Sequence, residues 1–223
     1  MSEQTLGLGR GRFDTLSVIP GESAGLVSAV EHTIRAAAFR ILLDRGEAAS
    51  AEDIAKRTGL PIDRTRLVIG ELAAVDRIRL DRAGSVAVCG GLSVASTQHR
   101  MRGPFGERFT CCAYDALGIL GALDADGQIE SVSPESGEPI VVPFVRGRPQ
   151  ISSEVLFLAD DSCCGSTLAD WCPQVNFFED EAAAERWRER SGVGGHTIAL
   201  ELGTERAAGE WRVLLSLVPS PPE

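Results

Sequence analysis

The spacing of apolar positions in the first third of the chain predicts three short helices. An apolar stripe at helical spacing ends at Gly46. Ser50 is placed to cap a second helix, with Asp53 at its third position as in a capping box, and Gly59 closes it. A third helix follows, with three apolar residues expected to face inward: Leu67, Val68 and Leu72.

Alternating apolar and polar residues replace the helical spacing after the third helix. Two short alternating runs on either side of a turn at 81–84 predict a β-hairpin. Three helices followed by a hairpin are typical of a winged helix, so we predict a winged-helix-like domain over 28–92. A flexible arm, 1–27, would precede this domain, and a connector, 93–110, would follow it.

The pattern beyond residue 110 mixes strands and helices. Apolar runs separated by turns rich in Ser, Pro and Gly predict the strands 129–132, 140–145, 155–158, 175–178 and 197–200. Strands that follow one another through short turns are typical of an antiparallel sheet. The predicted fold class is therefore α+β: the winged-helix-like domain, followed by a mostly antiparallel sheet with flanking helices over 111–223.

Composition narrows the function classes. The chain has 223 residues, 43% hydrophobic and 24% charged, as expected for a globular protein. The net charge is −10, from 32 acidic and 22 basic residues, which disfavours tight binding to nucleic acid. No run of apolar residues is long enough to span a membrane, and the start of the chain lacks the pattern of a secretory signal. We therefore expect a cytoplasmic protein.

The six cysteines are Cys89, Cys111, Cys112, Cys163, Cys164 and Cys172, and all except Cys89 fall between positions 111 and 172. In a chain of this length without a secretory signal, cysteines are expected to be free thiols rather than a disulfide framework. The three histidines are scattered along the sequence, so no zinc site is predicted.

A thiol and a carboxyl lie three residues apart at Cys112 and Asp115, where a helix is predicted to begin. Positions i and i+3 share a helical face, and a helix N-terminus lowers the pKa of a thiol. The pair could therefore act on one small substrate. A buried cysteine beside a capping aspartate would give the same spacing, and this pattern does not choose between the two interpretations.

Several motifs in order resemble the organomercurial lyases, also called alkylmercury lyases. Residues 97–100 (Thr-Gln-His-Arg) resemble a segment that leads into the family's core, and a Cys-Ala-x-Asp motif begins at Cys112. A turn like that of 136–139 (Ser-Gly-Glu-Pro) follows. Cys172 then precedes a Val-x-Phe-Phe strand, as a second cysteine does in the family. The resemblance covers about residues 30–218.

The resemblance implies both an activity and a site. In this family two cysteines and one aspartate cleave the carbon–mercury bond by protonolysis, and they correspond to Cys112, Cys172 and Asp115. Mercury(II) is soft and prefers thiolate, so the ion would stay on the two cysteines as product. The resemblance implies no organic cofactor. It implies an organomercurial substrate, with cellular thiols and a mercuric reductase as acceptors of the ion.

Two further hypotheses stay open from the sequence. Cys163 and Cys164 form an adjacent pair that could capture mercury or pass it on, or could have no role. The chain could also be a thiol-based, metal-responsive transcriptional regulator that uses the winged helix for DNA. Asp115 separates these functions, because a sensor needs only soft ligands whereas cleavage needs a group that carries a proton.

Overall fold

The computed structural model describes residues 29–150, 153–160 and 167–217. Its helices are α1 (Ala29–Arg45), α2 (Ala51–Thr58), α3 (Ile62–Ala74), α4 (Ala113–Ala122), α5 (Glu181–Ser191) and α6 (Leu200–Ser216). The predicted arm and the Cys163–Cys164 pair lie outside the described residues. Among the helices that are described, none combines the length and the apolar character that a membrane span needs.

Short-range signals in the sequence correctly predict where the first helices begin and end. Ser50 Oγ accepts a hydrogen bond from the backbone N–H of Asp53 over 3.0 Å, which caps α2. Gly46 and Gly59 adopt φ of 72° and 73°, the left-handed conformation that ends a helix at little cost for glycine. The inward position predicted for Leu67 is wrong, since its side chain is 53% exposed. The buried face of α3 runs instead through Val68 and its neighbours at helical spacing.

An eight-stranded antiparallel sheet forms the centre of the fold, in the order β1-β2-β3-β5-β4-β6-β7-β8. Its strands are β1 (Ile78–Leu80), β2 (Val86–Cys89), β3 (Leu92–Ser93), β4 (His99–Gly103), β5 (Gly106–Thr110), β6 (Gly127–Val132), β7 (Pro139–Val145) and β8 (Arg148–Pro149). The predicted hairpin is β1 and β2. It joins the larger sheet because β3 pairs with both β2 and β5.

Residues 93–110, predicted to be a connector, form the strands β4 and β5 in the middle of this sheet. The alternation of buried and exposed residues in these strands is difficult to recognise from the sequence, because the exposed positions carry charged side chains. Arg100 and Arg102 on β4 pair with Glu107 on β5 and Glu130 on β6, while Met101 between them is fully buried. The domain boundaries proposed from the sequence stay predictions.

A second, three-stranded antiparallel sheet lies beyond α4, in the order β10-β9-β11. Its strands are β9 (Val155–Ala159), β10 (Asn176–Phe178) and β11 (Gly195–Ala199). Between the sheets α4 packs closely along α6. Gly118 and Gly121 allow this approach, since a Cβ at Gly118 would lie 2.3 Å from the ring of Trp211. The combination of helices with antiparallel sheets agrees with the predicted α+β class.

The side chain of Arg108 on β5 joins the N-terminal helices to the sheet. Its Nε donates to the carbonyl oxygen of Leu43 over 2.7 Å, and its Nη2 donates to that of Asp44 over 3.0 Å. Both carbonyls belong to the last turn of α1, whose final carbonyl groups have no partners within the helix. A cation there also interacts favourably with the helix dipole.

We expect Arg108→Met to lower the free energy of unfolding by about 1–2 kcal/mol, because carbonyls in the last turn of α1 lose their charged donor. Urea unfolding followed by circular dichroism measures this change. The matched control is Arg64→Met, at an exposed position on α3. Equal unfolding free energies for the two variants would contradict the role given to Arg108.

Candidate active site

The first turn of α4 holds a thiol against a carboxyl. Cys112 is the N-cap residue, with extended backbone at φ −148° and ψ 175°. Asp115 Oδ2 accepts two hydrogen bonds from it, one from the backbone N–H over 3.0 Å and one from the thiol over 3.1 Å. The predicted helix start is confirmed. The capping and chemical interpretations therefore involve the same carboxyl, and they do not exclude each other.

Cys172 lies close to this turn, on the segment that leads into the second sheet. It begins a 3-10 turn just before β10, and the backbone N–H of Ala113 donates to the carbonyl oxygen of Val175 over 3.2 Å. That bond ties the start of α4 to the chain beside Cys172. A ligand atom from each of Cys112, Asp115 and Cys172 lies within 4.8 Å of the other two. Residues 60 positions apart in the sequence thus converge on a space that one ion could fill.

All three side chains are buried, and burial shifts the pKa of two of them, Cys112 and Asp115. It raises the pKa of the Cys112 thiol well above the ordinary value of 9.0, and the neighbouring Cys172 and Asp115 raise it further. Burial raises the pKa of Asp115 to about 6, although hydrogen bonds from Cys112 act in the opposite direction. The resting site therefore holds a protonated Cys112 beside a carboxyl that titrates close to neutral pH.

Three aromatic side chains, one of them on α4, are in contact. The Tyr114 ring meets Trp171 and Trp211 edge to face, with centroids 6.1 and 5.9 Å apart. Its hydroxyl donates to Glu210 Oε1 over 3.0 Å. Burial raises the pKa of Glu210, and it raises that of Tyr114 together with the charge of Glu210. Trp171 directly precedes Cys172 in the sequence, and Tyr114 lies two residues after Cys112.

Gly91, in the turn between β2 and β3, was not predicted as a site residue. Its φ is +79°, and a Cβ built there would lie 2.5 Å from Cγ and Oδ1 of Asp115. Its carbonyl oxygen accepts from the backbone N–H of Cys111 over 2.8 Å. The turn therefore closes over the carboxyl with no room for a side chain. The Gly-Gly pair at 90–91 was the available signal, but a glycine pair between strands ordinarily indicates only a turn.

The remaining cysteines have different surroundings. Cys89 is buried and its thiol donates to the carbonyl oxygen of Arg35 over 3.4 Å; burial raises its pKa to about 11. Cys89 is therefore a residue of the core. Cys111 is half-buried beside the cluster, and burial raises the pKa of its thiol strongly. Cys163 and Cys164 are outside the described residues, so their proposed role stays a prediction.

The histidines do not join the cluster. In the described part of the chain, no group of metal-binding side chains close enough to share an ion includes a histidine. His99 is buried at the start of β4, where its Nδ1 lies 2.9 Å from Ser131 Oγ. Burial lowers its pKa to about 4, so its ring is neutral.

Two thiols and a carboxyl in an α+β frame define a site for a thiophilic metal or organometal. Comparison with known proteins identifies the family: residues 92–211 match the family model for alkylmercury lyase, named MerB. The chain belongs to the alkylmercury lyase family, and it is an enzyme of carbon–mercury bond cleavage. The function expected from the sequence resemblance is confirmed, and that of a transcriptional regulator is not favoured.

Individual relatives agree with this assignment. The chain is 29% identical over 169 residues to the alkylmercury lyases of Bacillus cereus and Clostridium butyricum, covering 73% of this chain and 75% of theirs. It is 27% identical over 173 residues to that of Staphylococcus epidermidis. The fold is similar to a crystal structure described as the mercury-bound form of MerB2, with a TM-score of 0.72 and 23% identity. That match covers 82% of this chain and 91% of the other.

We expect Gly91→Ala to lower kcat/KM for an organomercurial by at least about tenfold, because the new methyl group displaces the Asp115 carboxyl from Cys112. Gly84→Ala is the matched control. Gly84 has a similar φ of +81° but nothing within 4 Å of an added Cβ, so it carries the backbone strain alone. If the two variants lose activity equally, contact with Asp115 is not the reason.

Proposed function

We propose that Cys112, Cys172 and Asp115 carry out the protonolysis of an organomercurial cation. The observation that carries this proposal is their convergence: two sulfurs and a carboxylate oxygen within 4.8 Å of one another, all buried. Mercury(II) binds thiolate strongly, and a carboxyl in contact with a thiol can move its proton. Other residues of the site hold these three in place or line the space around them.

Capture of the substrate begins at Cys112. The Asp115 carboxylate takes the thiol proton along the existing 3.1 Å hydrogen bond, and the thiolate bonds to mercury. A buried thiol with a raised pKa is a poor acid by itself. The positive charge of the organomercurial cation compensates for this, since a metal that binds thiolate displaces the thiol proton.

Cleavage follows when Cys172 adds its sulfur to the same mercury. The second thiolate pushes electron density towards the bound carbon, and Asp115 delivers a proton to that carbon as the carbon–mercury bond breaks. Of the two thiol protons, one ends in the hydrocarbon and the other leaves to solvent. Mercury(II) remains on the two thiolates, and this sequence of steps uses no organic cofactor.

The aromatic side chains and the acceptors of mercury belong to the same proposal. Tyr114 and Trp171, whose rings meet edge to face, would offer an apolar surface to the alkyl or aryl group of the substrate. Small cellular thiols would remove the ion by exchange and pass it to a mercuric reductase. A cytoplasmic location would suit this exchange, because thiols are kept reduced there. The assignment of the three N-terminal helices and hairpin as a winged helix is also part of this proposal.

Incubation with phenylmercury or methylmercury and an excess of small thiol should release benzene or methane, detected by gas chromatography. We expect Cys112→Ser, Cys172→Ser and Asp115→Ala each to reduce turnover by at least about a hundredfold, because each removes a mercury ligand or the proton carrier. Cys89→Ala is the control, since that thiol bonds only within the N-terminal part of the chain.

Two outcomes would contradict this assignment. If Cys172→Ser or Asp115→Ala retains the parent's turnover, the roles given to these residues are wrong. If the parent releases no hydrocarbon but binds a specific DNA duplex tightly at moderate salt, the protein acts as a metal-responsive regulator.

The pH dependence of kcat/KM should follow the ionisation of the Asp115 carboxyl. Its pKa is raised to about 6, so below that value the carboxyl holds a proton and cannot accept the one from Cys112. We expect kcat/KM to be level above about pH 7 and to fall by about tenfold for each pH unit well below the pKa. Tryptophan fluorescence at each pH shows that the protein stays folded. A profile that is flat from pH 5 to 8 in the folded protein would exclude Asp115 as the base.

A further inference from the structure

Three consecutive residues that lead into β4 connect by hydrogen bonds to the backbone at or next to both cysteines of the site. These residues are Thr97, Gln98 and His99, part of the segment that carries the family resemblance and has no role in the proposed reaction. None of them has a ligand atom in the cluster of thiols and carboxyl. Their importance lies in what their side chains hold.

One connection runs from Gln98 to the turn that carries Cys172. Gln98 Nε2 donates to Asn176 Oδ1 over 2.5 Å, and Asn176 Nδ2 donates to the carbonyl oxygen of Pro173 over 3.0 Å. Pro173 directly follows Cys172, and Asn176 is 1% exposed. The two amides therefore form a strap from β4 to the backbone beside the second sulfur.

The neutral ring of His99 fixes the direction of this strap. Its Nε2 lies 3.2 Å from Gln98 Nε2, and its Nδ1 lies 2.9 Å from Ser131 Oγ. An amide nitrogen can only donate, so His99 Nε2 accepts and Nδ1–H donates to Ser131. Gln98 thus uses both amide hydrogens, one on His99 and one on Asn176. Because Asn176 Oδ1 accepts from Gln98, the Asn176 amide is held in the orientation in which Nδ2 donates to the carbonyl oxygen of Pro173.

A second connection runs from Thr97 to Cys112. Thr97 Oγ1 donates to the carbonyl oxygen of Thr110 over 2.7 Å and accepts from the backbone N–H of His99 over 3.1 Å. Thr110 is fully buried, and its hydroxyl donates to the carbonyl oxygen of Cys112 over 3.0 Å. Adjacent residues just before β4 therefore connect to the backbone of Cys112 and to that of Pro173, which follows Cys172.

We propose that Gln98 is a positioning residue that holds Cys172 at the distance from Cys112 that a shared mercury ion requires. This inference rests on the function proposed above. Cys172 sits on a single 3-10 turn, a short element with strained hydrogen-bond geometry, so an added tie at Pro173 restricts where its sulfur lies. In the proposed sequence of steps Cys112 captures the substrate first. Loss of the strap should therefore slow cleavage while leaving capture intact.

Gln98 can be changed without opening the core, because the residue is exposed at the surface apart from its amide contacts. Gln98→Ala removes the strap. Gln98→Glu keeps the size but presents only acceptors, so it opposes both Asn176 Oδ1 and His99 Nε2. The matched control is Gln128→Ala, which removes a hydrogen bond of 2.6 Å to Glu130 on β6.

The measurements are kcat and KM with phenylmercury, the melting temperature, and the rate at which mercury(II)-loaded protein loses its ion to excess glutathione. We expect both Gln98 variants to lose about tenfold or more in kcat, with KM within about threefold of the parent. Gln98→Glu should be at least as impaired as Gln98→Ala. Both should lose mercury(II) faster than Gln128→Ala, at a melting temperature within about 2 °C of that control.

Three results would overturn the proposal. Gln98 variants that match Gln128→Ala in kcat and in mercury loss would show that the strap does not position Cys172. A milder effect for Gln98→Glu than for Gln98→Ala would indicate that only side-chain volume matters. A fall in kcat that follows the melting temperature would indicate a general structural role. Failure of the proposed function is separate, because it would show in the parent and in Cys172→Ser.

Discussion

A buried hydrogen-bonded cap at the start of α4 is the interaction on which both the fold and the chemistry depend. This chain offers its own comparison. Asp53 accepts a hydrogen bond from Ser50, the N-cap residue of α2, near the surface, where Ser50 and Arg45 lower its pKa. Asp115 makes the same kind of cap with Cys112, yet burial raises its pKa to about 6. The bonding pattern is shared, and exclusion of water turns a structural carboxylate into one that exchanges a proton near neutral pH.

The site exists only where the two sheets meet. Cys112 lies shortly after the end of β5 in the large sheet, and Cys172 lies shortly before the start of β10 in the small sheet. The helix α4 lies between them, held against α6 through the small surfaces of Gly118 and Gly121. The two thiols and the carboxyl lie on segments that are far apart in the sequence. The distances between them therefore depend on how these segments pack together. Contacts such as the strap at Gln98 matter for this reason.

Local physical signals predict most of the elements, whereas long-range contacts stay hidden. Capping at Ser50 and the glycine at 59 are short-range features, so their helix boundaries were predicted correctly. The strands within 93–110 were missed because their outward residues are arginine and glutamate, whose ion partners lie on other strands. The meeting of Cys112 with Cys172 could not be derived from spacing, and only the family resemblance indicated it. Gly91 was missed because its contact with Asp115 is visible only in three dimensions.

Burial of the three groups also bears on which metals the site accepts. At neutral pH the Cys112 thiol stays protonated, so the Asp115 carboxylate is a single charged oxygen ligand, whereas a hard cation such as Mg²⁺ needs several oxygen ligands around it. A soft cation gains enough from bonding to sulfur to displace the thiol proton, and a hard cation does not. In the proposed reaction, the desolvation that raises the pKa of Cys112 therefore favours soft cations over hard ones. Asp115 would receive the thiol proton only when a thiophilic ion displaces it from Cys112.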